Sequence, residues 1–468
     1  MQTPTVALPP GQTGSTLFRS LLAEAVRKRP NVFGDLVVPD EGTPFKRALQ
    51  DLLCRFEACR VASAERAQIA GELAEAAQSV GLFGERPLAE SLSEGECEAA
   101  VVTRGTAAPG WTPSVTYRGQ TWTGAQIGAL AQRLRIDHQL TQAAADALLW
   151  MAENRLQQPL VLDERFALLG AGAELAPTPY LLAAGATVVW VDRAVPMLAP
   201  ETFAGTVVRH ADAGDLLAQT PAIATALRQA CAEGPLHLGL YAYAPGKGRE
   251  LLLTLAMNAL ADACTPASRS MLVSPTTPGE VHPEDRADRI ARRERAPRWQ
   301  KALRRSRLLA EPAFHAEGEV EIARSIVSLQ GPTYLAAQYL TKMLAAEHWA
   351  ATERGRISAN VAGITHTASL EHPLFLAGFL GAPRFGVEVF TPDQTRVLST
   401  LLMLHDVLNP DAPANAAGLD ANARARHVAT RAIHGGVRSL PWVFEPTIRT
   451  AAIMGLAKKP SLLGKLRG

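Results

Sequence analysis

The stretch RFALLGAGAELAPTPYLLAAGATVVWVDR, residues 165–193, constrains the fold more than any other part of the chain. An apolar run enters a turn that contains Gly170 and Gly172, a helical segment follows, and a second apolar run ends at Asp192. Short apolar runs that a helix separates are typical of neighbouring strands in a parallel sheet covered on both faces. The stretch therefore predicts a strand, a turn, a helix and a second strand.

The same alternation of strands and helices continues to about residue 410. Further apolar runs begin near residues 206, 237, 268 and 356, and helical segments separate them. This rhythm favours the α/β class, with a doubly wound parallel sheet. Ligands of such sheets bind beyond the carboxyl ends of the strands, so we expect the polar residues there to converge on one crevice.

The chain before residue 155 has a different pattern. Apolar residues recur at three- and four-residue steps, and VTYRGQTWT reads as a small hairpin that turns at Gly119. We predict three parts: a mainly helical N-terminal domain at 1–155, an α/β domain at 156–410 with an Arg-rich insertion at 280–310, and a C-terminal extension at 411–468. The N-terminal domain gathers no catalytic residue types, which favours a structural, docking, dimerisation or lid role.

Composition excludes several classes of protein. The 468 residues are 47% hydrophobic and 20% charged with a net charge of +2, as in a soluble globular protein and without the excess of basic residues that nucleic acid would favour. The five cysteines are scattered and form no CxxC pair, which disfavours disulfides and a metal site. We find no signal peptide and no apolar run of about 18 residues, so we predict a cytoplasmic protein without an integral membrane segment.

The turn after the first predicted strand has the composition of a dinucleotide site. Glycines at Gly170 and Gly172, just before Glu174, let the backbone approach a pyrophosphate at the start of the next helix. Asp192, twenty residues after Gly172, stands where an acid binds ribose hydroxyls and favours NAD, whereas Arg193 can accept the 2′-phosphate of NADP. The third glycine of the usual pattern is absent, and the alternative is an ordinary turn between strand and helix.

Three later motifs stand at the ends of predicted strands or on the helix between them. Ser274 ends the fifth strand, Tyr334-Leu-Ala-Ala-Gln338 lies on the following helix, and Asn360-Val-Ala-Gly363-Ile-Thr-His-Thr367 follows the sixth strand. Together with the glycine turn, this order resembles the short-chain dehydrogenase/reductase family over roughly residues 160–410.

The resemblance implies a Rossmann-like fold of that family's type, which binds NAD or NADP. It implies that Ser274 and Tyr334 perform the chemistry and that Gln338 takes the place of the family lysine. It also implies that Asp212 lies against the adenine, and that the nicotinamide side is met by Asn360, Gly363 and Thr367.

Two departures from the family pattern affect the predicted chemistry. Ser274 and Tyr334 are sixty residues apart rather than about a dozen, because the Arg-rich insertion separates them. Gln338 can hold the ribose but brings no positive charge, so we expect Tyr334 to keep a pKa near the ordinary value of about 10. Lys342 lies eight residues beyond Tyr334, or roughly 12 Å along a helix, and we expect it to be too distant to replace the lysine.

Each candidate also has a structural interpretation. Tyr334 can anchor its helix, Ser274 can be a turn residue whose role passes to Thr276 or Thr277, and Asp212 can cap the next helix. His366 either orients substrate or is structural. The arginines of the insertion form either a solvated helical face or a basic lid that binds a phosphate or carboxylate.

The sequence thus predicts an NAD(P)-dependent oxidoreductase that transfers hydride between a carbonyl and an alcohol. The stretch ASLEHPLFLAGFLGAPRFGVEVF, residues 368–390, predicts an apolar wall, and so a rather apolar small-molecule or carrier-bound substrate. The alternatives are a lyase or epimerase that uses the same nucleotide site and a non-catalytic nucleotide-binding scaffold. We also predict a homo-oligomer, and a basic C-terminal tail, residues 447–468, that contacts an anionic membrane surface, the protein itself or a partner subunit.

Overall fold

A computed structural model describes residues 3–194, 198–244, 248–368, 370, 372–415 and 418–464. Its centre is a mostly parallel sheet flanked by helices, which agrees with the predicted α/β class. In these ranges the sheet has seven strands: β1 (Val101–Arg104), β2 (Arg165–Leu169), β3 (Thr187–Val191), β4 (Thr206–Arg209), β5 (His237–Leu240), β6 (Ser268–Val273) and β7 (Arg356–Val361).

The strands follow the order β7-β6-β5-β2-β3-β4-β1 across the sheet. All neighbours are parallel except β1, which pairs antiparallel with β4 at one edge. At the centre, Leu169 of β2 is opposite both Val191 of β3 and Leu240 of β5. The chain builds outward from β2 to β4 and then returns to the other side of β2. Connections therefore leave β2 and β5 in opposite directions, an arrangement for which a crevice is expected at their carboxyl ends.

The first part of the chain supplies seven helices of the described structure. They are α1 (Gly14–Lys28), α2 (Pro30–Phe33), α3 (Thr43–Ala62), α4 (Arg66–Ser79), α5 (Leu88–Ser91), α6 (Ile127–Ile136) and α7 (Gln142–Asn154). A threonine caps the N-terminus of two of them: Thr13 accepts from the backbone of Thr16, and Thr141 from that of Ala144. The predicted hairpin forms from Ser114–Tyr117 and Gln120–Thr123, and Gly119 turns it with φ +80°.

The helices that follow β2 to β6 cover the sheet or extend from it. They are α8 (Thr178–Ala183), α9 (Thr220–Ala232), α10 (Arg249–Asp262), α11 (Pro283–Glu294), α12 (Arg298–Arg305), α13 (Gly331–Gln338) and α14 (Ala345–Ala351). A π-helical segment, Tyr339–Leu344, joins α13 to α14 without a break. Such segments widen a helix by one residue per turn and are frequent at functional sites.

The remaining helices come after β7. They are α15 (Pro373–Gly381), α16 (Pro392–Leu408), α17 (Ala421–Arg426), α18 (Phe444–Lys458) and α19 (Ser461–Gly464). The predicted basic tail therefore forms most of α18 and α19, and α18 packs along α15; residues 465–468 of that tail lie outside the described residues. No helix of the described ranges is long and apolar enough to cross a membrane.

The predicted boundary near residue 155 does not separate two cores. One buried apolar cluster contains Phe18 and Phe56 of the N-terminal helices together with Tyr339 and residues of the sheet. The ring centroids of Phe18 and Tyr339 are 6.2 Å apart. Strand β1, which also precedes residue 155, is the edge of the central sheet. The N-terminal helices are therefore part of the same hydrophobic core as the α/β region.

The insertion and the C-terminal extension also pack on each other. A separate apolar cluster joins Ala296 and Leu309 of the insertion to Phe385 and to Trp442 and Phe444 near the C-terminus. We call the unit formed by helices α11, α12, α15 and α18, together with the segments that contribute to this apolar cluster, the cap. Its attachment is direct: the backbone N–H and the hydroxyl of Ser328, just before α13, donate to the carboxylate of Glu445 at the start of α18.

Candidate active site

The glycine turn after β2 lies against the end of β5. Gly170 has φ +88°, and a Cβ placed on it would lie 2.4 Å from the backbone N and Cα of Ala242. A residue other than glycine is excluded there both by the backbone conformation and by the close approach. The turn is thus held at the point where the connections of β2 and β5 diverge, which is where the sequence placed a nucleotide.

Asp192 lies beside this turn, as predicted. Its Oδ2 accepts a hydrogen bond from the backbone N–H of Gly172 at 3.0 Å, and its Oδ1 accepts one from Ala194. Arg193 is largely exposed, with its guanidinium 4.0 Å from Asp215. One expectation differs in detail: α8 begins only at Thr178, so backbone of the turn, rather than a helix N-terminus, faces the crevice.

The structure brings only some of the other predicted nucleotide-binding residues to the turn. Glu174 accepts from the backbone N–H of Ala368 at 3.1 Å, which brings the loop that contains Thr367 to the turn. Asn360, in contrast, is buried inside β7 with its amide nitrogen 3.1 Å from Ser358 Oγ. Gly363 is enclosed as well, because a Cβ there would lie 2.7 Å from the ring of Phe390. The structure therefore brings Glu174 and Thr367 to the turn, but not Asn360 or Gly363.

Asp212 lies near the outer edge of the sheet. Both of its carboxylate oxygens are 3.0 Å from the backbone nitrogen of Glu98, which leads into β1. It does not cap the next helix, because α9 begins at Thr220 and Asp215 binds the backbone between them. Asp212 therefore fastens β1 to the end of β4.

Ser274, Tyr334 and Gln338 come together despite the sixty-residue separation. Ser274 follows β6 and lies near enough to the Tyr334 hydroxyl to lower its pKa, while the Ser274 backbone N–H donates to Gln338 Oε1 at 3.0 Å. The hydroxyls of Ser274 and Thr276 are 2.8 Å apart, and Thr276 in turn donates to Gln330. Thr276 thus extends the hydroxyl network from Ser274 rather than replacing Ser274, and Thr277 donates its backbone N–H to the Ser274 carbonyl.

Gln338 is engaged at both ends of its amide. While Oε1 accepts from Ser274, Nε2 donates to Glu250 Oε1 at 3.0 Å. This arrangement differs from the expected ribose contact, because both polar atoms of the side chain already bind the protein. Gln338 joins the end of β6 to α10 across the helix that carries Tyr334.

Sequence analysis did not identify Glu250, the carboxylate that contacts both Gln338 and Lys342. Lys342 Nζ lies 3.0 Å from Glu250 Oε1, the atom that Gln338 also contacts, and Glu250 Oε2 accepts from the backbone of Ala244. That Lys342 is too distant from Tyr334 to replace the family lysine stays a prediction; in the structure Lys342 pairs with Glu250. The signal was present in RELLLTLAMNAL, where Glu250 is a lone acid at a buried position of an apolar helix.

The electrostatics keep the Tyr334 hydroxyl protonated. Burial raises the pKa of Tyr334 well above its ordinary value, and the charge of Glu250 raises that pKa further; the hydrogen bond from Ser274 opposes both. The sequence predicted a pKa near 10; the upward shift comes first from burial and further from a carboxylate that the motif does not contain. This site can donate a proton or a hydrogen bond, but a tyrosinate base is disfavoured.

Most arginines of the insertion bind carboxylates or carbonyl and hydroxyl oxygens of neighbouring segments. Arg286 and Arg289 pair with Glu321, and Arg293 and Arg304 pair with Glu311. Arg292 donates to the backbone carbonyls of 385, 386 and 436 and to the hydroxyl of residue 439. These contacts attach α11 to the rest of the cap. Among the described residues, the exposed arginines of the insertion that form no ion pair are Arg295, Arg298, Arg305 and Arg307.

His366 lies on the loop that also contains Thr367. Its backbone N–H donates to the carbonyl of Phe390, and its ring centroid is 5.5 Å from that of Phe379 in α15.

Comparison of the chain with protein-family models, with curated proteins and with solved structures gives no match.

Proposed function

We propose that the protein is a Rossmann-type, dinucleotide-dependent oxidoreductase that reduces a carbonyl to an alcohol. The observation that carries the proposal is the position of two clusters at one edge of the sheet. The turn formed by Gly170, Gly172 and Asp192 lies at the carboxyl end of β2 and β3, and Ser274 with Tyr334 lies at the carboxyl end of β6. The strand order is that of dinucleotide-binding folds, whose ligands lie across this edge.

The residues at the turn suit a nicotinamide dinucleotide. The exposed backbone of Gly172 would let a pyrophosphate approach the turn, and the adjacent Asp192 carboxylate suits ribose hydroxyls. The bound cofactor would supply the hydride. Ser274 would donate a hydrogen bond to the carbonyl oxygen of the substrate, and Tyr334 would give its proton to that oxygen as negative charge develops.

The raised pKa of Tyr334 favours reduction over oxidation. An alkoxide is a much stronger base than a tyrosinate, so Tyr334 can protonate it even when its own pKa is high. Oxidation of an alcohol would need the tyrosinate as base, which burial and Glu250 disfavour. A lysine beside Tyr334 matters most for that reverse direction, so its replacement by Gln338 is consistent with a reductase.

The cap favours an apolar substrate. Helix α15, which follows the loop after β7, leaves Leu374 and Leu380 exposed and Phe375 and Phe379 partly exposed. Among the described residues it has no charged side chain between Pro373 and Gly381. Such a surface next to the loop of Thr367 suits a hydrocarbon chain or ring more than a charged metabolite.

Calorimetric titration of the full chain with NADH and with NADPH tests the cofactor site. We expect micromolar binding of at least one of them, and Asp192→Ala should weaken NADH binding by about tenfold or more because charged hydrogen bonds to the ribose are lost. Asp146→Ala, on the exposed face of α7, is the matched control and should leave both affinities unchanged. Absence of heat with both nucleotides would reject the site.

The loaded protein would then be mixed with apolar aldehydes and ketones while the NADH absorbance is followed. Tyr334→Phe should lower the rate by about a hundredfold and leave NADH affinity near the wild-type value. Binding without oxidation of NADH by any carbonyl would leave the scaffold, lyase and epimerase alternatives.

A further inference from the structure

The outer side of strand β1 is an open edge of the central sheet. The strand order ends at β1, and beyond its ladder with β4 no described residue hydrogen-bonds to the backbone of 99–104. The N–H of Gly105 donates to the carbonyl of Gly205, just before β4, at 2.8 Å. Because the direction of backbone hydrogen bonds alternates along a strand, Val102 and Arg104 direct their N–H and C=O groups away from β4.

The side chains along this edge are apolar and exposed. All four residues of 99–102, with the sequence AAVV, are exposed, Val101 to 58% and Val102 to 51%. Successive side chains of a strand point to opposite faces, so β1 is uncovered on both faces of the sheet. An open edge that also exposes apolar side chains favours pairing with a further strand.

The sequence EAAVVTR, residues 98–104, is complementary to itself when two copies run antiparallel. Glu98 and Arg104 lie at equal distances along the chain from Val101, both are exposed, and neither forms an ion pair among the described residues. A twofold axis at Val101 sets Glu98 of each copy opposite Arg104 of the other, which stabilises a strand pair. The same register sets residue 100 opposite Val102, and both direct their backbone groups outward.

The monomer already holds the start of this segment in place. Both carboxylate oxygens of Asp212 lie 3.0 Å from the backbone nitrogen of Glu98, and Nδ1 of His210 lies 2.7 Å from its carbonyl oxygen. These two residues follow β4 and fix the backbone of Glu98 while its side chain stays exposed. Little conformational freedom is therefore lost when a second strand pairs with β1.

We propose that β1 is a dimerisation strand, which pairs antiparallel with β1 of a second copy of this chain about an axis at Val101. The two seven-stranded sheets then form one continuous sheet across the dimer. Two ion pairs between Glu98 and Arg104 fix the register. The inference is independent of the proposed function, because β1 contributes no residue to the candidate active site.

The test is light scattering of the full chain after size exclusion, over a range of concentrations. We expect a mass twice the 49.9 kDa of one chain. Glu98→Arg and Arg104→Glu should each raise the dissociation constant of the dimer by about tenfold or more, because like charges then face each other. Glu153→Arg, on the exposed face of α7, is the matched control with the same change of charge and should dimerise like the wild type.

A mixture of the two single variants tests the register. Each mixed pair again sets opposite charges against each other, so the mixture should recover the dimer, as should the double variant Glu98→Arg/Arg104→Glu. Amide exchange tests the strand pairing itself: the N–H groups of Val102 and Arg104 should exchange about tenfold or more slowly in the dimer than in the monomer. A wild type that is monomeric at every concentration, a dimer that neither single variant weakens, or a mixture that stays monomeric would overturn the inference.

Discussion

Buried charges in this protein differ in how fully they are paired. Arg60 is completely buried and donates to Glu57 and to Glu347, with distances between 2.7 and 3.1 Å. The Arg60 and Arg66 guanidiniums lower the pKa of Glu347 to about 2 although burial alone would raise it. Asp285 in the cap is just as buried, but neither of its carboxylate oxygens has a hydrogen-bond partner among the described residues.

Asp285→Asn should therefore stabilise the protein at neutral pH. Burial raises the pKa of Asp285 to about 6, although Arg438 opposes the shift. The folded protein holds this proton more tightly than the unfolded chain, so its contribution to stability is full below pH 3.8 and is lost as the pH rises through about 6. The melting temperature of Asp285→Asn should exceed that of the wild type at pH 7.5, and the difference should shrink as the pH falls through about 6 and disappear below pH 3.8.

Asp288→Asn is the matched control, one turn further along the same helix. Asp288 pairs with Arg135 and with His138, contacts that help to hold its pKa below the usual range despite burial. Removal of its charge should lower the melting temperature at pH 7.5. A decrease for both variants would show that Asp285 is paired in solution.

At the scale of elements, α15 and α18 of the cap pack with their backbones in contact. A Cβ on Gly455 would lie 1.9 Å from the Ala377 carbonyl oxygen, and one on Gly381 would lie 2.0 Å from that of Ala451. Helix interiors usually gain about 1 kcal/mol when glycine is replaced by alanine, so these glycines oppose helix propensity. Close approach of the two helices is the reason for their presence.

Gly455→Ala should consequently destabilise the protein, by about 1–3 kcal/mol, because the helices must separate. The control is Gly378→Ala in the same pair of helices, where the new methyl meets only the flexible end of Ile448 at 3.2 Å. Chemical denaturation of both variants gives the comparison. Stabilisation of similar size in both would contradict the close packing of α15 on α18.

The elements of the parallel sheet could be predicted because each leaves a local signal. Buried strands appear as Val/Leu runs such as Thr187–Val191, and their ends carry the Gly and Asp of the turn. Glu250 is visible as an acid in an apolar helix, but its pairing with Lys342 leaves no local signal, because that contact depends on how α10 packs on the π-helical segment. Strand β1 was missed since its pairing with β4 joins residues about a hundred positions apart.

At the scale of the whole molecule, the first 155 residues complete the core of the α/β region. Tyr339, beyond α13, contacts the rings of Phe18 and Phe56, and its hydroxyl donates to Glu57 at 2.5 Å. Glu347 also depends on this part of the chain for both of its arginines. Without the first 155 residues, a large apolar surface would be exposed and the Glu347 carboxylate would lose both arginines that pair with it.

A fragment of residues 156–468 should therefore not fold alone. We expect it to aggregate or to unfold without a cooperative transition, because an apolar surface of this extent is not tolerated in a monomer. Co-expression with a fragment of residues 1–155 should restore a soluble complex that melts cooperatively. A cooperative transition of the 156–468 fragment alone, at the temperature of the full chain, would show an independent domain.

The pairing of Arg60 with Glu347 also has a consequence for the order of events at the ribosome. The two residues are 287 positions apart, and at about 5–20 residues per second their synthesis is separated by roughly a quarter of a minute to a minute. During that interval the Arg60 guanidinium, Phe18 of α1 and Phe56 of α3 lack their partners Glu347 and Tyr339. The apolar faces of the N-terminal helices are thus exposed until the segment they pack against has been synthesised. Chaperones that bind apolar helices can act during that interval.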